Sequence, residues 1–187
     1  QYTVLQYAVE DLSQFSGQQV TLSFYAKAAV ALNVASEFAL EFGTGGSAGP
    51  VQTNGIGVTT HAVTTGWVRY TVTATIPNLS GGTLGPLSTT CLRINIWLDA
   101  GTAIAARTNS LPKQSGTVDF ANFQLEFGAV ATKFESRPIG IELEMCKRYY
   151  ETGSARFSTS TTVGVIQYLI SGAHFLVTKR VIPAITV

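Results

Sequence analysis

Four stretches of the chain alternate apolar and polar residues with a period of two, a pattern that restricts each to a strand with one face on a core. In the first, Val20, Leu22, Phe24 and Ala26 share a face, with Thr21, Ser23, Tyr25 and Lys27 opposite. In the second, Phe38, Leu40 and Phe42 alternate with Glu37 and Glu41. Val68, Tyr70, Val72, Ala74 and Ile76 form the third against Arg69, Thr71, Thr73 and Thr75. Leu92, Ile94, Ile96 and Leu98 form the fourth against Arg93, Asn95 and Asp99. Glycine-rich turns are expected between them at Gly43 to Pro50, Asn54 to Gly57 and Asn78 to Pro86. Half-buried strands with polar connections predict an all-β fold, a jelly-roll β-sandwich. A further strand keeps even phase at Val118 and Phe120 but odd phase at Phe123, Leu125 and Phe127, which predicts a bulge near Ala121 and Asn122.

The period then changes. Ile139, Leu143, Cys146 and Tyr150 are spaced by four, three and four residues, predicting a short helix from about Ile139 to Tyr150 that starts at or just after Pro138. Glu144 with Arg148 is a favourable i,i+4 pair on it. β-like sequence returns at Val163 to Ile170 and His174 to Thr178. The expected domains are 1–136, a sandwich, and 137–187, a linker helix with the start of a second β unit; the boundary lies within Ser136 to Gly140. Both ends, at Gln1 and Val187, read as interior sequence of a longer polypeptide. Cys91 and Cys146 are expected to be buried small apolar residues.

Composition narrows the function. Charged residues are 12% of the 187 and nearly cancel to +1, about half the charge share of an ordinary soluble domain. Phosphate binding wants clustered Lys and Arg, so nucleic acid is not an expected partner. No window approaches ~18 uninterrupted apolar residues, so membrane insertion is not expected either. Low charge with abundant Thr, Ser, Gly, Val and Ala suits strands packed into an assembly.

No catalytic constellation emerges. Gly45 to Gly49 has the letters of a nucleophile elbow, but the motif needs a strand before its Ser and a helix after it, and Pro50 follows instead. His61 reads as a strand-edge or turn residue and His174 as a strand residue, without triad spacing. Two histidines and two cysteines lacking ligand spacing give no metal site, and no phosphate loop or dinucleotide fingerprint implies a cofactor. The chain is expected to be no enzyme.

The tryptophans are the better lead. Trp97 falls in phase with Arg93 and Asn95, and Trp67 with Arg69. An aromatic ring beside Arg and Asn on one sheet face is the composition of a sugar-binding surface, the ring stacking while polar groups fix hydroxyls. The competing reading has these rings covering an edge, a turn or a subunit contact. Trp97, Arg93 and Asn95 are therefore the expected ligand residues, with Trp67 and Arg69 behind them.

One long segment is more specific. Gln124-Leu125-Glu126 followed by Val130-Ala131-Thr132-Lys133-Phe134-Glu135, Arg137-Pro138 and Cys146-Lys147-Arg148-Tyr149-Tyr150 resembles a junction recurrent in bacteriophage tail-fibre and related virion proteins. Leu12 to Ala28 is similar to the opening strands of that family's jelly roll, Gly66-Trp67 through Ile76 and Leu92 to Gly101 to later strands, and Phe175 to Thr186 to the start of its next β module. Lys133 stands where family members often carry Pro. An Asp-Asp pair for structural calcium, common in related modules, is replaced by Ala121-Asn122, and no metal is expected.

The resemblance implies a virion structural protein, a component of a tail fibre or host-attachment appendage. It implies a homotrimer, other virion tail proteins as partners, contact with bacterial surface polysaccharide, and assembly in the host cytoplasm before residence on the virion. A carbohydrate-binding module of a secreted polysaccharide-active enzyme is the alternative, as is a capsid or neck fibre.

Overall fold

The computed structural model describes residues 1–42, 51–79, 90–151, 157–162, 165–170 and 177–178. Contacts divide the chain into two compact units, Gln1–Glu135 and Ser136–Val187.

The first unit is an all-β sandwich. Its strands are β1 (Thr3–Glu10), β2 (Gln19–Ala28), β3 (Leu32–Phe42), β4 (Val51–Val63), β5 (Val68–Thr75), β6 (Cys91–Asp99) and β7 (Val118–Phe127). One sheet has the order β1-β6-β3-β4 and the other β5-β2-β7, with every pairing antiparallel. The chain crosses repeatedly from one sheet to the other, as in a jelly roll. The alternating residues fill the space between: Val20, Leu22, Phe24 and Ala26 of β2 meet Phe38, Leu40, Leu92, Ile94 and Ile96 of the facing sheet. The second sheet has three strands to the first sheet's four, and Leu5 and Tyr7 of the edge strand β1 stay exposed.

The phase slip in β7 is a bulge. Ala121 pairs with Tyr25 and Gln124 with Ser23, so three steps on β7 match two on β2, and Asn122 takes a left-handed φ of 53°. Asn and Gly tolerate that region best. The segment Asn54 to Gly57 corrects an expectation: it is no turn but part of β4. Its pairings run Ser36 to Thr59, Phe38 to Ile56 and Leu40 to Thr53, which inserts two extra residues into β4. Gly57 makes this possible, with φ 65° and an ideal Cβ that would come within 2.6 Å of the Ala74 Cβ. From sequence, Gly at alternate positions looks like a turn; here it lets one long strand kink twice.

Thr21 and Ser23 lie on the face opposite the core residues of β2, yet both are buried. The chain after β7 covers them. Thr21 donates to the Gly128 carbonyl at 2.7 Å and therefore accepts from Thr73 at 2.8 Å. Thr132 is then held at every polar atom. Its amide and hydroxyl donate to the Glu126 carboxylate (3.0 and 2.5 Å), and its carbonyl accepts from Arg69. Gln124 donates to the Thr132 hydroxyl at 3.2 Å and accepts from the Glu135 amide at 2.7 Å. The hydrogen bonds from Thr132 and Gln124 hold the Glu126 carboxyl below its ordinary value. Residues 128–135 thus form a strap.

The second unit contains a helix, α2 (Ile139–Lys147), and a hairpin of β8 (Phe157–Thr162) and β9 (Val165–Ile170), paired antiparallel from Phe157–Ile170 to Thr162–Val165. Pro138, extended at φ −57° and ψ 137°, precedes α2 as expected, but the helix ends at Lys147, short of Tyr150. Glu144 pairs with Lys147 at 2.6 Å in place of the expected Arg148, which donates to the Thr178 carbonyl at 3.3 Å. The expected stripe is not a buried seam: Ile139, Leu143 and Tyr150 are exposed, as are Ile141, Met145 and Tyr149. Cys91 is buried as expected and Cys146 is exposed, a correction that follows from the same open helix. The strand expected from Val163 begins at Val165, and Gly45 to Gly49, His174 and most of the expected last strand lie outside the described residues.

Candidate functional site

Strand pairing builds the site row by row on the outward face of the four-stranded sheet. Val4, Trp97 and Ala35 are cross-strand neighbours, then Gln6, Asn95 and Glu37, then Ala8, Arg93 and Ala39, then Glu10, Cys91 and Glu41. Period-2 geometry places all twelve on one side, since the intervening residues face the core.

Glu37 is the centre. It is buried, and a buried carboxylate needs several donors to offset lost hydration. Its Oε1 accepts from Asn95 Nδ2 at 2.9 Å, Trp97 Nε1 at 3.2 Å, and Arg107 Nε at 2.9 Å and Nη2 at 2.5 Å. Its Oε2 accepts from the Gly55 amide at 2.8 Å, within the kinked part of β4. Arg107 comes from outside the sheets, on the one-turn helix α1 (Ala105–Thr108), which a 3-10 turn at Thr102–Ile104 introduces. The buried Thr108 hydroxyl donates to the Ile104 carbonyl at 3.1 Å and closes that turn.

From Glu37 the network runs across the sheet. Gln6 Nε2 donates to Asn95 Oδ1 at 2.8 Å, Arg93 Nη1 donates to Gln6 Oε1 at 3.2 Å, and Arg93 is ion-paired with Glu41. The network fixes both amide orientations. Above it opens a groove of about 270 Å³ whose lining includes Tyr2, Gln6, Glu41, Gln52, Asn54 and Arg93, with Trp97 and Arg107 at one end.

Trp97, Arg93 and Asn95 are thus brought together, as their shared phase required, but in roles other than an open stacking platform. Trp97 is only 3% exposed; the Arg107 guanidinium lies 5.0 Å over its ring, and Tyr2 meets it edge-on at 5.2 Å. Asn95 is fully buried beneath the groove. Trp67 and Arg69 lie elsewhere, just before and on β5 of the three-stranded sheet. Trp67 is 48% exposed with Lys27 Nζ 5.2 Å over its ring, while Arg69 is engaged by Ser23 and the strap. Glu37, Gln6, Tyr2 and Arg107 were not anticipated. Alternation did put Glu37 on the face opposite Phe38, yet nothing in sequence sets the register that aligns it with Asn95.

His61 belongs to the interior. On β4 at the sheet edge it is buried, 2.8 Å from the Ser36 hydroxyl and ringed by Phe24 and Tyr70, and burial lowers its pKa to about 4. Among the described residues no group of three or more His, Cys, Asp or Glu is placed to hold a metal ion, and no helix is long and apolar enough to cross a membrane.

No protein-family model matches the sequence, and no curated protein matches it. Among solved structures, one titled "CBM4 structure and function" is similar to this chain at 18% identity and a TM-score of 0.39, covering 67% of this chain and 72% of that one. The fold is an all-β sandwich.

Proposed function

We propose that this chain is a non-catalytic glycan-binding sandwich carried on a bacteriophage tail fibre or another host-attachment appendage of the virion. The groove on the four-stranded sheet carries the binding half of this reading. Its floor is a hydrogen-bonded polar network held rigid by strand pairing, and its lining offers the exposed amides of Gln52 and Asn54 on β4 and the ring of Tyr2 before β1. Rigid polar groups with one ring are what hydroxyl-rich ligands require.

The assembly half rests on the resemblance at Gln124 to Tyr150 and on exposed apolar surface. Ile139, Ile141 and Leu143 on α2, and Tyr150 just after it, have no cover among the described residues, and a nine-residue helix is marginal alone in water. A homotrimer, sitting among other virion tail proteins after assembly in the host cytoplasm, supplies that cover. Three weak contacts to a repetitive bacterial surface polysaccharide then reinforce one another.

The same groove suits a carbohydrate-binding module of a secreted polysaccharide-active enzyme, but such a module has no use for exposed α2, which favours the fibre or its capsid and neck counterparts. Light scattering together with a glycan array tests both halves. A trimer that retains glycan, with retention weakened roughly tenfold in Asn54→Ala, is expected. A monomer that binds glycan points to the stand-alone module, and glycan retention indifferent to Asn54→Ala removes the groove from consideration.

A further inference from the structure

The groove contains two guanidinium groups, and their accounting narrows the ligand. Arg107 is committed to Glu37 and Arg93 to Glu41, so each positive charge at the groove meets a carboxylate within the same network. Glu37 is buried and Glu41 nearly so. A ligand carboxylate, sulfate or phosphate would have to draw an arginine from its partner and leave a buried carboxylate uncompensated. A cationic ligand faces the mirror problem.

What remains free is neutral in character. Gln52 and Asn54 are exposed and their amides make no hydrogen bond among the described residues, so each offers a donor and an acceptor. The Arg93 side chain, 30% exposed, also lines the groove. Its terminal nitrogens carry donors that a ligand hydroxyl or ring oxygen can accept from without an ion pair being formed.

The aromatic contribution shifts as well. Arg107 already covers the Trp97 ring, whereas Tyr2, 54% exposed and edge-on against Trp97, keeps ring surface open at the groove. The volume of about 270 Å³ lies just below the usual ~300–1,000 Å³ of small-molecule sites, room for one sugar unit rather than a buried chain.

We infer that the groove takes an uncharged sugar unit stacked on Tyr2 and hydrogen-bonded by Gln52, Asn54 and Arg93, an inference that rests on the glycan-binding reading above. The probe is a printed array of uncharged and acidic glycans, followed by titration of the strongest binder from about 10 mM to about 1 M salt, which shortens the screening length from about 30 Å to about 3 Å. The expected result is an uncharged binder whose affinity varies less than about twofold across that range. Tyr2→Ala should weaken it by roughly tenfold or more and Tyr2→Phe by much less, because the ring does the stacking. An acidic binder whose affinity falls steeply with salt, yet is still weakened by Asn54→Ala, overturns the uncharged-ligand inference and keeps the groove. No binder, or one unaffected by both Tyr2→Ala and Asn54→Ala, overturns the groove reading and this inference with it.

Discussion

The two outward faces of the sandwich began with the same kind of sequence, polar residues alternating with apolar ones, and they have opposite fates. On the three-stranded sheet, Thr21, Gln124 and Glu126 are spent on the chain's own strap, from Gly128 to Glu135, and Ser23 accepts from Arg69, which also donates to the strap. On the four-stranded sheet, Gln6, Asn95, Glu37 and Arg93 bond to one another and leave a groove above them. A polar face of a sheet becomes a site when its side chains satisfy each other and no backbone arrives to use them. The strap also shows why Arg69, although it shares a face with Trp67, is unavailable to a ligand.

The largest effect is expected from breaking the groove network at its centre. Glu37→Ala leaves Arg107, Asn95 and Trp97 without their common acceptor and should cost about 3–5 kcal/mol, read as a lowered denaturant midpoint. A loss within about 0.5 kcal/mol would mean the network is solvated and the two faces are not so different.

Next in size is a proton placed between the two faces. His61 is neutral in the fold, with a pKa near 4 against about 6.5 unfolded. Its contribution is complete above the unfolded value and is lost as pH falls from about 6.5 to about 4, because the unfolded chain binds the proton first. The shift corresponds to roughly 3 kcal/mol across that window. His61→Gln should flatten the stability profile between those pH values while neighbouring carboxylates still titrate; an unchanged slope would place the loss elsewhere.

The smallest effect sharpens the comparison from the strap side. Thr132→Val removes the hydroxyl shared by Glu126 and Gln124 and should cost about 1 kcal/mol. Hydrogen exchange should quicken at the amides of Thr132 and Glu135 and stay unchanged at Gly55, whose amide serves the groove. Equal acceleration at both would show the faces are coupled.

Much of the fold was legible because burial imposes phase. Val20, Leu22, Phe24 and Ala26 announced their face, and the slip between Phe120 and Phe123 announced the Asn122 bulge one residue at a time. Glycine carried the opposite lesson: Asn54 to Gly57 has turn composition, and only the packing of Gly57 against Ala74 makes it a kinked strand. Phase also placed Trp97, Asn95 and Arg93 on one side, but phase says nothing of what lies above a face. Arg107 arrives on the one-turn helix α1, too short for any periodicity to mark it, and its position over Trp97 turned an expected platform into a wall. The open α2 helix has the same origin, since a stripe states which side is apolar and not what will cover it.

The strand order has a consequence for how the chain is made. Sheet partners are far apart in sequence: Thr3 pairs with Asp99 and Val20 with Phe127. β2, the middle strand of its sheet, lacks one neighbour until β7 has been synthesised, and β1 waits for β6. At about 5–20 residues per second, the ribosome leaves Leu22, Phe24 and Phe38 without their final cover for on the order of ten seconds. Such non-local closure folds slowly, so the nascent chain spends that interval in reach of chaperones and of its own neighbouring copies on the same messenger RNA.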